Sequence, residues 1–155
     1  MAEIKKILYA TDFSDLSAWA LPYAVYLAEK CQGELHCLHV VDDSYQYWLT
    51  FEPPAIPAGP SVENLVESAE KELKKFLSGK LPAELPLVTE VLHGRAFVEI
   101  IHYARDHQID LIVVGTHGWS ALRQVLMGSV ADKLVRKSPC PVLTVRHPDH
   151  GFEMP

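Results

Sequence analysis

The sequence lacks the features that define several large protein classes. Its 14 basic side chains are outnumbered by 20 acidic ones, and the net charge of −6 argues against a general binder of nucleic acid or anionic membranes. No apolar run reaches the roughly 18 residues that a membrane-spanning helix needs. The cysteines Cys31, Cys37 and Cys140 are odd in number and widely spaced, so no disulfide framework is implied. The apolar run Ile7–Ala10 is too short for a signal peptide, and we therefore expect a soluble, cytoplasmic protein.

What is present is enough for one folded domain. The chain has 155 residues, of which 48% are apolar and only 22% are charged, a composition that excludes intrinsic disorder. A domain of this size buries roughly 70% of the surface that its unfolded chain exposes. We predict a single domain over residues 1–147, followed by a short tail at 148–155.

Short apolar runs alternate with segments of helical periodicity along the whole chain. The predicted strands are Ile7–Ala10, Glu34–Val41, Leu87–Leu92, Leu111–Val114 and Pro141–Arg146. The predicted helices are Ser14–Lys30, Val62–Leu77, Phe97–His107 and Ser129–Lys137. This order predicts a doubly wound α/β fold, in which right-handed crossovers place helices on both faces of a parallel sheet.

Two residues and one long loop interrupt this pattern of strands and helices. Pro22 lies inside the first predicted helix and should kink it by freeing the carbonyl of Ala18. Gly33 follows that helix and is expected to end it in a left-handed conformation. The loop Asp42–Pro60 holds four aromatic residues and four prolines, and it is either a lid, a partner contact or disordered.

Glycines cluster after the most apolar strand. Gly115-Thr116-His117-Gly118 follows Leu111–Val114, and Gly128-Ser129 opens a helix ten positions after Gly118. Glycines let backbone N–H groups approach an anion closely, and a helix N-terminus adds unpaired donors and a positive dipole end. The pattern arises by chance in roughly one chain of this length in 200. It favours a phosphate site, and the alternative is two ordinary turns with a helix capped by Ser129.

Asp12 ends the first predicted strand at the same edge of the sheet as Gly115. If these two strands are neighbours, they flank the topological switch point at which open α/β sheets bind ligands. A carboxylate there can accept hydrogen bonds from ribose hydroxyls or help to hold Mg²⁺. The alternative is that Asp12, or Ser14 equally well, caps the following helix.

Other candidate sites are weaker. Strand alternation puts His36 on the opposite face from Cys37 and His39, which disfavours a transition-metal site. His117 could contact a phosphate, but no orienting partner for a general base is visible. No spacing singles out a Ser-His-Asp triad.

Together these segments resemble the universal stress protein family. The glycine segments, with Val130-Ala131, are similar to its ATP-binding signature. Lys6–Ser14, Leu38–Asp42 and Cys140–Arg146 resemble its other segments. The resemblance implies a five-stranded parallel sheet of order 3-2-1-4-5 and an ATP or AMP ligand at its rim. The carboxylate of Asp12, rather than the resemblance, is what suggests Mg²⁺ as a companion of that ligand. The resemblance also implies a homodimer formed through the last strand, by Val142, Leu143 and Val145.

The resemblance assigns roles to individual residues. Asp12 would meet the ribose, Val40 the adenine through its backbone, and the glycines with Ser129 and Val130 the phosphates. The complete implied set is Ala10, Asp12, Val40, Gly115, Thr116, His117, Gly118, Trp119, Ser120, Gly128, Ser129 and Val130.

Trp119 departs from the family pattern, in which many nucleotide-binding members carry Lys or Arg after the second glycine. The loop therefore lacks one counter-charge for a triphosphate, although Arg123 could reach in. The leading function is a nucleotide-dependent stress-response regulator. The alternatives are an enzyme with slow ATP hydrolysis, for which only Asp12, His117 and Arg123 are candidates, and a structural dimer with an empty site.

Overall fold

A computed structural model describes residues 3–42, 60–116 and 128–148. Within these residues lie ten helices and strands, in the predicted order except that two helices replace the first predicted one. The strands are β1 (Lys6–Ala10), β2 (Glu34–Asp42), β3 (Leu87–Gly94), β4 (Leu111–Gly115) and β5 (Val142–Val145). The helices are α1 (Asp15–Ala18), α2 (Leu21–Lys30), α3 (Val62–Leu77), α4 (Ala96–Asp106) and α5 (Ser129–Lys137).

The five strands form one parallel sheet of order β3-β2-β1-β4-β5. β1 lies at the centre, where Tyr9 is in register with Cys37 of β2 on one side and with Val113 of β4 on the other. Because the chain leaves β1 toward β2 and returns past it to β4, the strand order reverses between β1 and β4. The predicted doubly wound α/β fold and its strand order are confirmed.

An apolar cluster covers each face of the sheet. On one face, α2 and α3 pack on residues such as Ile7, Tyr9 and Leu35. On the other, α4 and α5 pack on Leu8, Leu38 and their neighbours. Alternating residues of β1 and β2 therefore enter different clusters, as expected for strands that are buried on both sides.

The prediction of one kinked helix over Ser14–Lys30 is wrong. The chain forms two helices, α1 and α2, and Trp19 and Ala20 lie between them. The Ala20 N–H donates to the Ser17 carbonyl in a tight turn, and Pro22 falls in the first turn of α2. A proline is tolerated there because the N–H groups of the first turn have no partner within the helix. Pro22 thus begins a helix where the periodicity predicted a bend.

The end of α2 also differs from the expectation, because Gly33 is not the residue in the left-handed conformation. Gln32, with φ of 51°, is the residue in the left-handed region after α2, and the Gly33 N–H donates to the Ala28 carbonyl in a Schellman-type ending. Gly33 is required for space, since a Cβ there would lie 2.4 Å from the carbonyl oxygen of Lys5. The helix end is therefore set by Gln32, while Gly33 admits the neighbouring strand.

The remaining differences are at element ends. β3 runs two residues beyond its predicted end, and α4 begins and ends one residue early. The hypotheses for the loop Asp42–Pro60 concern mostly residues 43–59, which lie outside the described part of the chain. In the described part, no helix combines the length and the apolar character needed to cross a membrane.

Candidate functional site

A cleft of about 480 Å³ opens at the carboxyl ends of the strands, between β1 and β4. Residues from β1, β2 and β4 form its floor, and the N-terminal ends of α4 and α5 approach it from the sides. It lies at the switch point, the position at which open α/β sheets bind their ligands. The topology of the sheet thus places the cleft.

One part of the cleft is apolar. The residues that line this part also belong to the apolar cluster under α4 and α5. They are Ala10, Leu38, Val40, Ile100 and Val114. These side chains come from three adjacent strands and one helix, so their surface is continuous. Such a surface accepts a flat, weakly polar ring more readily than a charged group.

The β1–α1 loop brings a carboxylate to the cleft. Asp12 lies in this loop, and its Oδ1 accepts hydrogen bonds from the backbone N–H of Ser14, at 3.0 Å, and from the Ser14 hydroxyl. Ser14 in turn accepts a hydrogen bond from the Ser17 N–H, and it is therefore the N-cap of α1. The structure thus separates the two residues that the sequence left as equivalent candidates, because Ser14 caps the helix and Asp12 braces Ser14.

The beginning of α5 offers backbone donors to the cleft. Gly128 is its N-cap residue, it has no side-chain capping hydrogen bond, and Ser129 and Val130 of the first turn also line the cleft. The Gly128 N–H itself donates to the carbonyl of Thr116, which joins the two chain segments on either side of residues 117–127. The first turn of α5 therefore resembles the helix N-termini that bind anions through their N–H groups.

The beginning of α4 differs because a carboxylate already lies against it. The Ala96 N–H donates to Oδ2 of Asp42, at 3.3 Å, and both residues line the cleft. A negative side chain at a helix N-terminus satisfies its donors and neutralises part of its dipole. Of the two helix N-termini at the cleft, α5 is the one suited to an anionic ligand.

Comparisons with known proteins agree with this architecture. The model of the universal stress protein family matches residues 3–146. The chain belongs to the universal stress protein family. It is 34% identical over 145 residues to the universal stress protein MJ0531 of Methanocaldococcus jannaschii, covering 93% of this chain and 83% of that protein. It is also 34% identical to the universal stress protein YxiE of Bacillus subtilis, covering 91% of this chain and 98% of that one.

A solved structure shares both the fold and part of the sequence. The structure of the hypothetical protein MJ0577 aligns with a TM-score of 0.78 at 28% identity, and the alignment covers 95% of this chain and 99% of the other. The resemblance to the universal stress protein family that the glycine segments and strand ends indicate is therefore confirmed.

The structure brings together most of the residues that the universal stress protein resemblance assigns to the nucleotide. Those that line the cleft are Ala10, Asp12, Val40, Gly115, Thr116, Gly128, Ser129 and Val130. The other four, His117, Gly118, Trp119 and Ser120, lie outside the described residues, as does Arg123. Their assignment to the nucleotide stays a prediction.

Several residues of the cleft were missed in the sequence. Asp42 is the last residue of β2, and Asp12 lies just after β1, so the same reasoning about strand ends could have found it. Leu38 shares a strand face with Val40, and alternation alone predicts that both reach the cleft. Ser17 had no comparable signal, because its place depends on the break between α1 and α2.

His36, Cys37 and His39 lie as strand alternation predicts. The Nδ1 atom of His36 is 2.8 Å from the Tyr103 hydroxyl on the α4 face, while Cys37 belongs to the cluster on the opposite face. Burial lowers the pKa of His36 and raises that of Cys37 to about 12, so both are neutral near pH 7. Over the described residues, no group of three or more His, Cys, Asp or Glu side chains could hold a metal ion.

Proposed function

We propose that this universal stress protein binds an adenine nucleotide, ATP or AMP, in the cleft between β1 and β4 and acts as a stress-response regulator. The observation that carries the proposal is the order of surfaces along the cleft. An apolar floor containing Val40 suits the adenine, the Asp12 carboxylate suits the ribose hydroxyls, and the first turn of α5, whose N-cap is Gly128, suits phosphate.

The opposite orientation of the nucleotide is disfavoured. Phosphate at the α4 end would face the Asp42 carboxylate, which already accepts the Ala96 N–H. The negative charges of the carboxylate and of a phosphate bound there would repel each other, and the repulsion would grow with each added phosphate. This asymmetry supports phosphate at α5 and adenine toward α4.

Two solved structures of this fold contain adenine nucleotides. A universal stress protein in complex with cAMP aligns with a TM-score of 0.60 at 20% identity, and one from Archaeoglobus fulgidus in complex with dAMP aligns at 0.58 and 18%. Such identities establish the common fold alone. The ligand is therefore inferred from the lining of this chain's own cleft.

Mg²⁺ fits this site as a companion of the phosphates. Asp12 supplies one carboxylate, and Mg²⁺ is commonly held by one or two carboxylates together with substrate phosphates and water. We propose Asp12 as the protein group nearest to such an ion. Bound Mg²⁺ would neutralise phosphate charge.

The decisive experiment is calorimetric titration with ATP and with AMP, supported by mass spectrometry of nucleotide that co-purifies with the protein. Gly128→Val places a branched side chain where backbone must approach phosphate, so we expect at least a hundredfold loss of affinity with the fold retained. Ser61→Val is the matched control, because it changes the N-cap of α3, which is not among the residues that line the cleft. Unchanged affinity in Gly128→Val would remove the phosphate assignment.

The preference between ATP and AMP is proposed to be small. Trp119 occupies the sequence position at which many nucleotide-binding members of the family carry Lys or Arg. A cation at this position would attract each added phosphate, so Trp119→Lys should widen the ratio of ATP to AMP affinity. An unchanged ratio in that variant would mean that residue 119 does not contact the phosphates.

The second candidate function is slow ATP hydrolysis in the same cleft. The Asp12 carboxylate is the observation in its favour, since it is a titratable side chain that lines the cleft near the proposed phosphates. Release of phosphate that disappears in Asp12→Asn, while ATP still binds, would support the enzyme.

A further inference from the structure

Two rings lie together under the β1–α1 loop, on the sheet face that α2 and α3 cover. The rings of His39 and Phe13 stack with centroids 4.1 Å apart and planes 21° from parallel. The ring of Phe76 of α3 also contacts that of Phe13, with centroids 5.7 Å apart and planes tilted by 57°. His39 is not among the residues that line the cleft. The stack therefore supports the loop from the face opposite to the proposed ligand.

His39 also holds the backbone directly before Asp12. Its Nδ1 atom is 2.8 Å from the carbonyl oxygen of Thr11, and since a carbonyl can only accept, Nδ1 carries the proton. The Thr11 N–H donates to the Leu38 carbonyl, on the residue before His39. Two adjacent residues of β2 thus hold the two peptide groups of Thr11, and His39 holds the one that joins Thr11 to Asp12.

Phe13 fixes the backbone directly after Asp12. Its φ of 65° lies in the left-handed region, which is unfavourable for a residue with a large side chain. Its N–H donates to the Thr11 hydroxyl, and its ring contacts the rings of both His39 and Phe76. A strained residue of this kind persists only where its surroundings determine it, and such residues cluster at functional sites.

We infer that His39 is a positioning residue, which holds the Asp12 carboxylate where it meets the ribose and so sets the preference for nucleotides that carry ribose hydroxyls. This inference rests on the proposed function, since it concerns the ribose end of the same nucleotide site. His39 acts on both neighbours of Asp12, through the Thr11 carbonyl and through the Phe13 ring, without contacting the ligand.

The charge state of His39 is compatible with this role. Burial lowers its pKa, although the hydrogen bond to Thr11 and the nearby Asp12 carboxylate act in the other direction. A neutral ring with its proton on Nδ1 keeps the hydrogen bond to Thr11 and adds no charge that would compete for Asp12.

The test is calorimetric titration of the full-length protein with AMP and with 2′,3′-dideoxy-AMP, which lacks both ribose hydroxyls. We expect the wild type to prefer AMP by about tenfold, because hydrogen bonds to a carboxylate are among the stronger ones. Asp12→Asn should remove most of this preference. His39→Leu should reduce it to about threefold or less, with the affinity for dideoxy-AMP changed by less than twofold.

Two further variants separate positioning from general loss of stability. His39→Asn retains an N–H donor near the Nδ1 position and should recover most of the ribose preference, to about sevenfold or more. His36→Leu is the matched control, because it removes a buried histidine from the same strand on the opposite face, and it should leave the preference unchanged. If His39→Leu does not fold, Phe13→Leu removes the ring stack alone and should lower the same ratio.

The outcomes distinguish the inference from the proposed function. A wild type that binds neither nucleotide overturns both. A wild type that binds both equally overturns the ribose contact of Asp12, and with it the role of His39. If Asp12→Asn abolishes the preference while His39→Leu retains it, or weakens both ligands equally, only the inference about His39 is wrong.

Discussion

At the residue scale, Gly33 and Gln32 are predicted to respond differently to substitution, because one lacks space for a Cβ and the other has a left-handed backbone. Gly33→Ala would place a Cβ 2.4 Å from the Lys5 carbonyl oxygen, which is backbone and cannot move aside easily. We expect a loss of about 1–3 kcal/mol in the free energy of unfolding, the usual range for overpacking. Gln32→Gly relieves a left-handed φ of 51° and should be neutral or stabilising by up to about 1 kcal/mol. Urea unfolding of both variants measures the difference, and a more stable Gly33→Ala would contradict it.

His36 gives the stability a defined dependence on pH. Its ring is 4% exposed, and burial lowers its pKa more than the nearby Glu34 raises it, while His107 and Lys6 also lower it. In the unfolded chain histidine titrates near pH 6.5. Because the folded state binds this proton less readily, the stabilisation is complete above about pH 6.5 and is lost as the pH falls through the folded pKa.

Urea unfolding between pH 8 and pH 5 checks this dependence. We expect a free energy of unfolding that is nearly constant from pH 8 to pH 7 and falls below pH 6.5, with a shallower fall in His36→Gln. His39, whose pKa burial also lowers, accounts for part of the remaining slope. Equal slopes in the variant and the wild type would show that His36 does not contribute.

At the element scale, the break between α1 and α2 makes Pro22 an initiating residue. Pro22 is exposed in the first turn of α2, where its fixed φ suits a helix and reduces the freedom of the unfolded chain. Pro22→Ala should therefore destabilise the protein by about 0.4–1 kcal/mol. A proline inside one continuous helix would behave in the opposite way, because its removal would stabilise the helix by about 3 kcal/mol. Thermal unfolding decides the sign.

The elements differ in how well their sequence predicts them. β4 and α3 follow from local patterns, a run of four apolar residues and a long amphipathic stripe, and their predicted positions agree closely with the structure. The break at Trp19 and Ala20 could not be predicted, because small residues on a continuous helical stripe give no sign of it. It depends on tertiary contacts, such as the hydrogen bond of the buried Tyr9 hydroxyl to the Ser17 carbonyl.

The candidate site divides in the same way. Asp12, Gly115 and Gly128 were found because each adjoins a strand or helix end, which parallel topology brings to one edge. Alternation predicts only that His39 shares a strand face with Cys37, since nothing in its spacing reveals that its ring reaches the loop of a neighbouring strand. Contacts across the sheet, such as that with Phe13, require the register of β1 and β2 to be known.

At the scale of the whole molecule, β5 is an edge strand of the sheet. Among the described residues it pairs with β4 alone, through hydrogen bonds that include Ile112 N–H to the Pro141 carbonyl and Thr116 N–H to the Val145 carbonyl. Because ladder partners alternate along a strand, residue 143 also faces β4, while Val142 and Thr144 direct their backbone groups to the open edge. Open edges are usually covered, and we expect a homodimer here.

This geometry separates two proline variants. Thr144→Pro removes a donor at the open edge and should give a folded monomer, whereas Leu143→Pro breaks the pairing with β4 and should give unstable or insoluble protein. Light scattering at high and low concentration measures the mass of each. A monomeric wild type, or a Thr144→Pro variant that stays dimeric through the same strand, would refute a dimer built on the backbone of β5.

The central position of β1 has a consequence for how the chain is made. When β3 leaves the ribosome, β1, β2 and β3 can already pair, and α2 and α3 can cover one face of that half sheet. The other face, with Leu8, Leu38 and Val40, stays uncovered until α4 and α5 are made, because these helices come later in the chain. A nascent chain of this length would show an uncovered apolar layer to its surroundings. Synthesis therefore passes through a stage in which chaperone contact is to be expected, and this stage ends when α5 docks and completes the cleft between β1 and β4.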